Sequence, residues 1–225
     1  KLIESNHDNY VQHIVTPITS YLLCNHYFST EIYENLNHKY IGFDLIQLLD
    51  KNKNDLYKNG NINSIKEGDI IQVQVDLFYT FIKHILPHIS CKIVVITSQF
   101  HLPQIHKQTL TDEFINNDKI ILWVSQNPIY KNHKKYMAFP YGIYHQDVNT
   151  YMNFVKKNHN CISNIETKTT FCYNSPVSLT SNIRKNPIFN KNSKVPYKDY
   201  LNNILHSKFT ISPSGDRDDC YRHYE

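Results

Sequence analysis

Residues 68–97 read G-D-I-I-Q-V-Q-V-D-L-F-Y-T-F-I-K-H-I-L-P-H-I-S-C-K-I-V-V-I-T, and this stretch decides the fold. Residues 69–75 alternate or run apolar as a strand, and 77–89 carry helical spacing interrupted near Pro87. Residues 92–97, K-I-V-V-I-T, are a compact apolar run of the kind that is buried on both faces of a sheet. The unit is strand, helix, strand. The alternation continues downstream with a short helix over 109–116, a strand over 119–124 (K-I-I-L-W-V) and one more over 136–140. Strands alternating with helices predict an α/β fold with a parallel sheet, doubly wound and covered on both faces. Ligands of such sheets sit beyond the carboxyl ends of the strands, which places 98–103, Gln126 with Asn127, and 140–145 on the functional edge.

Upstream the pattern is weaker. Residues 10–28 are a mixed apolar segment, and Leu45, Leu48 and Leu49 give 43–50 helical spacing. Residues 51–66, rich in Asn, Lys and Asp with Gly60 inside, read as an exposed connection. Beyond the sheet, 145–168 are polar, with a helix over 148–157, and read as a crossing between domains. A second alternation follows: a strand at 169–173, a polar loop at 174–182, a mixed segment at 183–190, a helix at 197–206 and a strand at 208–213. The chain then turns through Ser214, Gly215 and Asp216 into a helical start at Asp218 or Asp219. A complete second lobe needs further strands, so that lobe is expected to be incomplete at its C-terminus.

Composition narrows the function classes. In 225 residues, 40% are hydrophobic and 13% aromatic, which excludes disorder despite the many Lys and Asn. The net charge of +4 is spread along the chain without a dense basic patch, which disfavours nucleic acid as a partner. The five Cys (Cys24, Cys91, Cys161, Cys172, Cys220) are odd in number and lack CxxC spacing, so reduced thiols are expected. Five Gly form neither a Walker loop nor a G-x-G-x-x-G fingerprint. His84 and His88 are separated by the helix-breaking Pro87, no H-E-x-x-H is present, and no metal is expected. No apolar run reaches the roughly 20 residues of a membrane span, so no membrane segment is expected. No N-x-[ST] acceptor with a permitted middle residue occurs among the many Asn, which points to a cytoplasmic chain, or a lumenal one if an upstream anchor was removed. The Asn, Lys, Ile and Tyr bias suits an AT-rich genome, such as that of a large DNA virus or a protist, and carries no functional weight.

The last segment carries the most chemistry. A strand leading through Ser212-Pro213-Ser214-Gly215 into a helix offers backbone N–H groups and a helix dipole to a phosphate. Arg222 and Glu225 lie three apart on one helix face. A guanidinium forks onto diphosphate oxygens and a carboxylate accepts from a ribose diol, although this spacing alone more often describes a solvated ion pair. The segment S-P-S-G-D-R-D-D-C-Y-R-H-Y-E at 212–225 resembles the exostosin-like glycosyltransferase family, in which S-P-x-G is followed by D-C-x-R and, three residues on, by Glu. More loosely, W-V-S-Q-N-P at 123–128 and F-P-Y-G-I at 139–143 are similar to a family stretch with Trp-x-x-Gln-Asn leading to a Pro-x-Gly-Ile turn, and I-T-S-Q-F-H-L-P at 96–103 resembles a loop of its acceptor-side lobe. The resemblance covers 68–225.

That resemblance implies a GT-B-like fold of two Rossmann-like lobes facing a cleft: an acceptor-side lobe at 1–146, a crossing at 147–166 and a partial donor lobe at 167–225. It implies an inverting, metal-independent hexosyl- or pentosyltransferase moving a sugar from a nucleoside-diphosphate sugar, UDP-linked by expectation, to an oligosaccharide or glycoprotein glycan. The donor would be held by Arg184, Ser214, Gly215, Arg222 and Glu225. An inverting displacement also needs a base opposite the donor. His101, beyond the carboxyl end of the 92–97 strand, and Asp76, at the end of the preceding strand, are the two choices, with His145 and Asp147 on the acceptor side. Asp216-Arg217-Asp218 spells a metal-binding D-x-D, set aside because its surroundings resemble the metal-free family. The rival reading is a catalytically silent sugar- or nucleotide-binding protein on the same scaffold.

Overall fold

Apolar runs become strands in the computed structural model, which describes residues 15–16, 19–29, 61–98, 105–143, 148–158, 169–172 and 195–211. These fall into two compact units, one holding the described residues between 19 and 140, the other 15–16 and those from 141 onward.

The first unit runs α1 (Thr19–Leu23), β1 (His26–Phe28), β2 (Ile70–Gln74), α2 (Phe78–His84), β3 (Ile93–Ser98), α3 (Thr109–Asn116), β4 (Ile120–Ser125) and β5 (Tyr136–Ala138). The five strands form one sheet in the order β1-β2-β3-β4-β5, each neighbouring pair parallel. This is an α/β architecture with a parallel sheet, consistent with a Rossmann-like fold. Its strand order climbs without reversal. The switch point at which a doubly wound sheet opens a ligand crevice therefore does not fall among these five strands.

Register sorts the side chains. Ile71 lies opposite Val95 and Val95 opposite Trp123, while Gln72 lies opposite Ile96 and Gln74 opposite Ser98. Alternation then puts Ile71, Val73, Val95 and Trp123 on one face and Gln72, Gln74, Ile96 and Ser98 on the other. The apolar face packs against Phe78 and Phe81 of α2 and Phe114 of α3 in one buried cluster. Phe78 stacks on Trp123 at 4.9 Å between centroids, and Phe114 meets it edge-on at 5.1 Å. Trp123 Nε1 donates to Thr97 Oγ1 at 2.9 Å, so the indole is buried with its one polar atom satisfied. Each fully buried Phe here contributes about 1.5–3 kcal/mol by removal from water. On the second face Tyr21 and Cys24 close over Tyr27.

Pro87 acts where the sequence places it. Lacking an N–H and clashing with the carbonyl four residues back, it ends α2 at His84 and leaves a 3-10 turn at Leu86–His88. Two stretches differ from expectation. Residues 61–66 are no simple exposed connection, because the 3-10 turn Asn61–Ser64 brings Ile62 and Ile65, three apart and hence on one side, into the core. β1 is a strand of three buried residues inside the mixed segment, too short for any periodicity to reveal.

The second unit holds α4 (Val148–Asn158), β6 (Thr169–Cys172), α5 (Tyr197–Leu205) and β7 (Ser207–Ile211). β6 and β7 pair in parallel. α5 buries Tyr200 and Leu201 and touches both α4 and β7. Gly142, in the P-Y-G-I turn, has φ +74°, and a Cβ there would collide with the Val15 carbonyl, which accepts the Ile143 N–H at 2.9 Å. Only glycine fits that close approach. Among the described residues no helix is long and apolar enough to cross a membrane.

Candidate functional site

A parallel sheet gathers all its carboxyl ends along one edge. In the first unit that edge collects Ser29 after β1, Gln74 and Asp76 at the end of β2, Ser98 closing β3, and Ser125, Gln126 and Asn127 closing β4. All of these except Asp76 are buried. Neutral hydroxyls and amides are thus concentrated at the carboxyl ends of these strands.

The polar groups are wired in two chains. In one, Ser29 Oγ donates to Gln74 Oε1 at 2.7 Å, and Gln74 Nε2 donates to Asp76 Oδ2 at 3.0 Å. In the other, Gln72 Nε2 donates to Ser98 Oγ at 3.0 Å, and Ser98 Oγ lies 2.5 Å from Ser20 Oγ. The β4 end is tied by backbone: Gln126 N–H reaches Thr97 O at 3.1 Å and Asn127 N–H reaches Ser125 Oγ at 3.1 Å. Tyr136 donates its hydroxyl to the Asn127 carbonyl. Asn127 Oδ1 and Gln72 Oε1 are buried acceptors without a hydrogen-bond partner among the described residues.

Asp76 sits in the 3-10 turn Val75–Leu77, whose flanking Val75 and Leu77 are buried while the aspartate is exposed. Its backbone is therefore anchored on both sides and its carboxylate faces outward. Ser98, Gln126 and Asn127 stand at the carboxyl ends where the sequence placed them, and of the catalytic, donor and acceptor-side residues Asp76 alone is among those described. His101, His145, Asp147, Arg184, Ser214, Gly215, Arg222 and Glu225 lie outside the described residues, as do the 43–50 helix and the D-x-D triplet. Sequence reasoning missed Gln72, Gln74 and Ser29. The signal for the glutamines was present in Q-V-Q, two amides on the same face of an otherwise apolar strand.

Other polar groups have structural work. Tyr130 donates to Asp112 Oδ1 at 2.5 Å, and burial, reinforced by that hydrogen bond, pushes its phenol up to about 12. Burial raises Tyr136 and Tyr79 as well. Burial, with Glu67 and Asp69 nearby, pushes the Cys91 thiol up, away from thiolate character. A cavity of about 310 Å³ between α2 and α3 is lined by Ile82, Leu86, Phe114, Glu113 and Lys119, and the ammonium of Lys119 is already donated to the Leu86 and Pro87 carbonyls. Lys119 precedes β4, so this cavity is at the amino edge, away from Asp76. Among the described residues no three His, Cys, Asp or Glu side chains converge to hold a metal ion.

No family model matches the chain, and no curated protein matches it. The class defined by the structure is a protein with a parallel α/β unit whose carboxyl edge, among the described residues, is buried, polar and uncharged apart from one outward carboxylate.

Proposed function

We propose that the chain is an inverting, metal-independent glycosyltransferase that moves a sugar from a nucleoside-diphosphate sugar, a UDP-sugar first among those to test, to a hydroxyl of a glycan. The observation that carries this reading is Asp76: an exposed carboxylate just past the carboxyl end of β2, oriented by a buried amide. Inverting transfer needs a group that takes the proton of the acceptor hydroxyl as it attacks the anomeric carbon. Asp76 suits that role, and His101 is the alternative base. The departing diphosphate needs positive charge and N–H donors, a role assigned to Arg184, Arg222 and the backbone at Ser214 and Gly215, with Glu225 accepting from the ribose. This follows the resemblance of 212–225 to the exostosin-like motif. His145 and Asp147 would contact the acceptor. In this reading the five-strand sheet is the acceptor lobe of a GT-B pair, and β6, α5 and β7 begin the donor lobe.

The test is release of nucleoside diphosphate from a panel of sugar nucleotides, with and without glycan acceptors, in the presence of EDTA. Acceptor-dependent release that survives the chelator is expected. Loss with EDTA would revive the D-x-D at 216–218. Binding of a nucleoside diphosphate without turnover would support a silent binding protein instead. Arg222→Ala should weaken nucleotide binding by about 1–3 kcal/mol, the cost of losing one partner of a charged hydrogen bond, and unchanged binding would remove the motif from the argument.

A further inference from the structure

We propose that Gln74 is a positioning residue for Asp76, with Ser29 bound to the far end of its amide; the functional part of this inference rests on the glycosyltransferase reading. Gln74 is the last residue of β2 and 6% exposed, and Ser29, after β1, is fully buried. The parallel pairing of β1 with β2 brings them together across 45 residues of chain. An amide can turn either end toward a neighbour. Here the carboxylate decides: Asp76 can only accept, so Nε2 faces it at 3.0 Å, and Oε1 takes the Ser29 hydroxyl proton at 2.7 Å. The reversed amide would set two acceptors against each other at Asp76.

The consequence is geometric. An exposed Asp samples several rotamers, and holding one costs side-chain entropy. A hydrogen bond from a buried amide selects one of them. The anchor uses Oδ2, while Oδ1 makes no hydrogen bond within the described residues. Asp76 can thus be held by one oxygen while the other takes the proton of an acceptor hydroxyl. Gln74 does not touch the reacting atoms. It acts through Asp76, and Ser29 acts through Gln74.

Two measurements on the full chain test this. In the first, the side-chain amide resonances of Gln74 are followed by nitrogen–proton correlation NMR. Asp76→Ala should shift that pair and leave the dispersion of backbone amides intact, and an unshifted pair would overturn the contact whatever the chain's activity. In the second, Gln74→Leu should lower kcat about ten- to a hundredfold through misplacement of the carboxylate, with the KM for the sugar nucleotide unchanged. Gln74→Glu keeps the Ser29 hydrogen bond and faces Asp76 with an acceptor, so it should be at least as slow. Ser29→Ala, which removes one contact of the amide, should fall between Gln74→Leu and wild type. Wild-type kcat in both Ser29→Ala and Gln74→Leu would overturn the positioning role. Should wild type transfer no sugar from any donor, the enzymatic reading falls and with it the catalytic use of the carboxylate, whereas the amide shift still decides whether Gln74 holds Asp76.

Discussion

The two edges of the five-strand sheet solve opposite problems. At the amino edge charged side chains stitch turns: Asp69 accepts from His26 Nε2 at 3.0 Å and from the Lys66 N–H at 2.9 Å, and Glu67 accepts the Lys92 N–H at 2.8 Å. Lys119 fills the carbonyls of Leu86 and Pro87. At the carboxyl edge the buried groups among the described residues are neutral, Ser29, Gln74, Ser98, Gln126 and Asn127 among them, and the one carboxylate of the Gln74 chain looks outward. Charges at the amino edge are consumed in satisfying backbone. At the carboxyl edge buried neutral dipoles hold a charge that has remaining capacity, and this is why function is assigned there.

The comparison breaks most visibly at Asp76. Asp76→Asn should lower transfer by about 10²-fold or more, the usual weight of a general base, while the unfolding midpoint stays at the wild-type value; an unaffected rate would move the role to His101. Asp69→Asn is the matching change at the other edge. It should cost about 2 kcal/mol of stability in denaturant titration, through hydrogen bonds to a charged group, and leave transfer alone. A loss of transfer at constant stability would erase the distinction between the edges. Ser98→Ala removes the nearer of two acceptors of Gln72 Nε2, leaving the Ser98 carbonyl at 3.4 Å, in a fully buried place. It should cost about 1–2 kcal/mol, measured the same way, with a smaller effect on turnover than any change at Gln74.

The smallest effect concerns pH. Tyr130 is pushed up to about 12 from 10.0. The folded state therefore holds this proton more tightly than the unfolded state. Its contribution to stability is complete below about pH 10 and is lost as pH rises toward about 12. Stability measured across that window should fall in the native chain and fall less in Tyr130→Phe. Equal slopes would show that the phenol is not linked to folding.

Much of the first unit was legible because a buried parallel strand needs a short, nearly unbroken apolar run, and K-I-V-V-I-T and K-I-I-L-W-V are such runs. The helix 109–116 was read to the residue, since Thr and Asn mark its ends. β1 was not legible, because three residues carry no period and His26 hides its burial in a pair with Asp69, forty-three residues away. Ile62 and Ile65 were masked by the Asn, Ser and Lys around them. At the site, Asp76 was visible as the acid ending a strand. Its orienting partners were not, because Ser29 reaches Gln74 only once β1 and β2 are paired.

What the sequence determined by itself is therefore local: where chain segments bury themselves, where Pro87 stops a helix, and which residues end strands. These follow from side-chain volume, branching and backbone freedom, which act over a few residues. Strand order, the meeting of Ser29 with Gln74 and Gln74 with Asp76, and the division of the sheet into a charged edge and a neutral one were decided by tertiary structure. Hydrogen bonds between residues far apart in the chain have no sequence period, and only packing brings their donors and acceptors within 3 Å of one another.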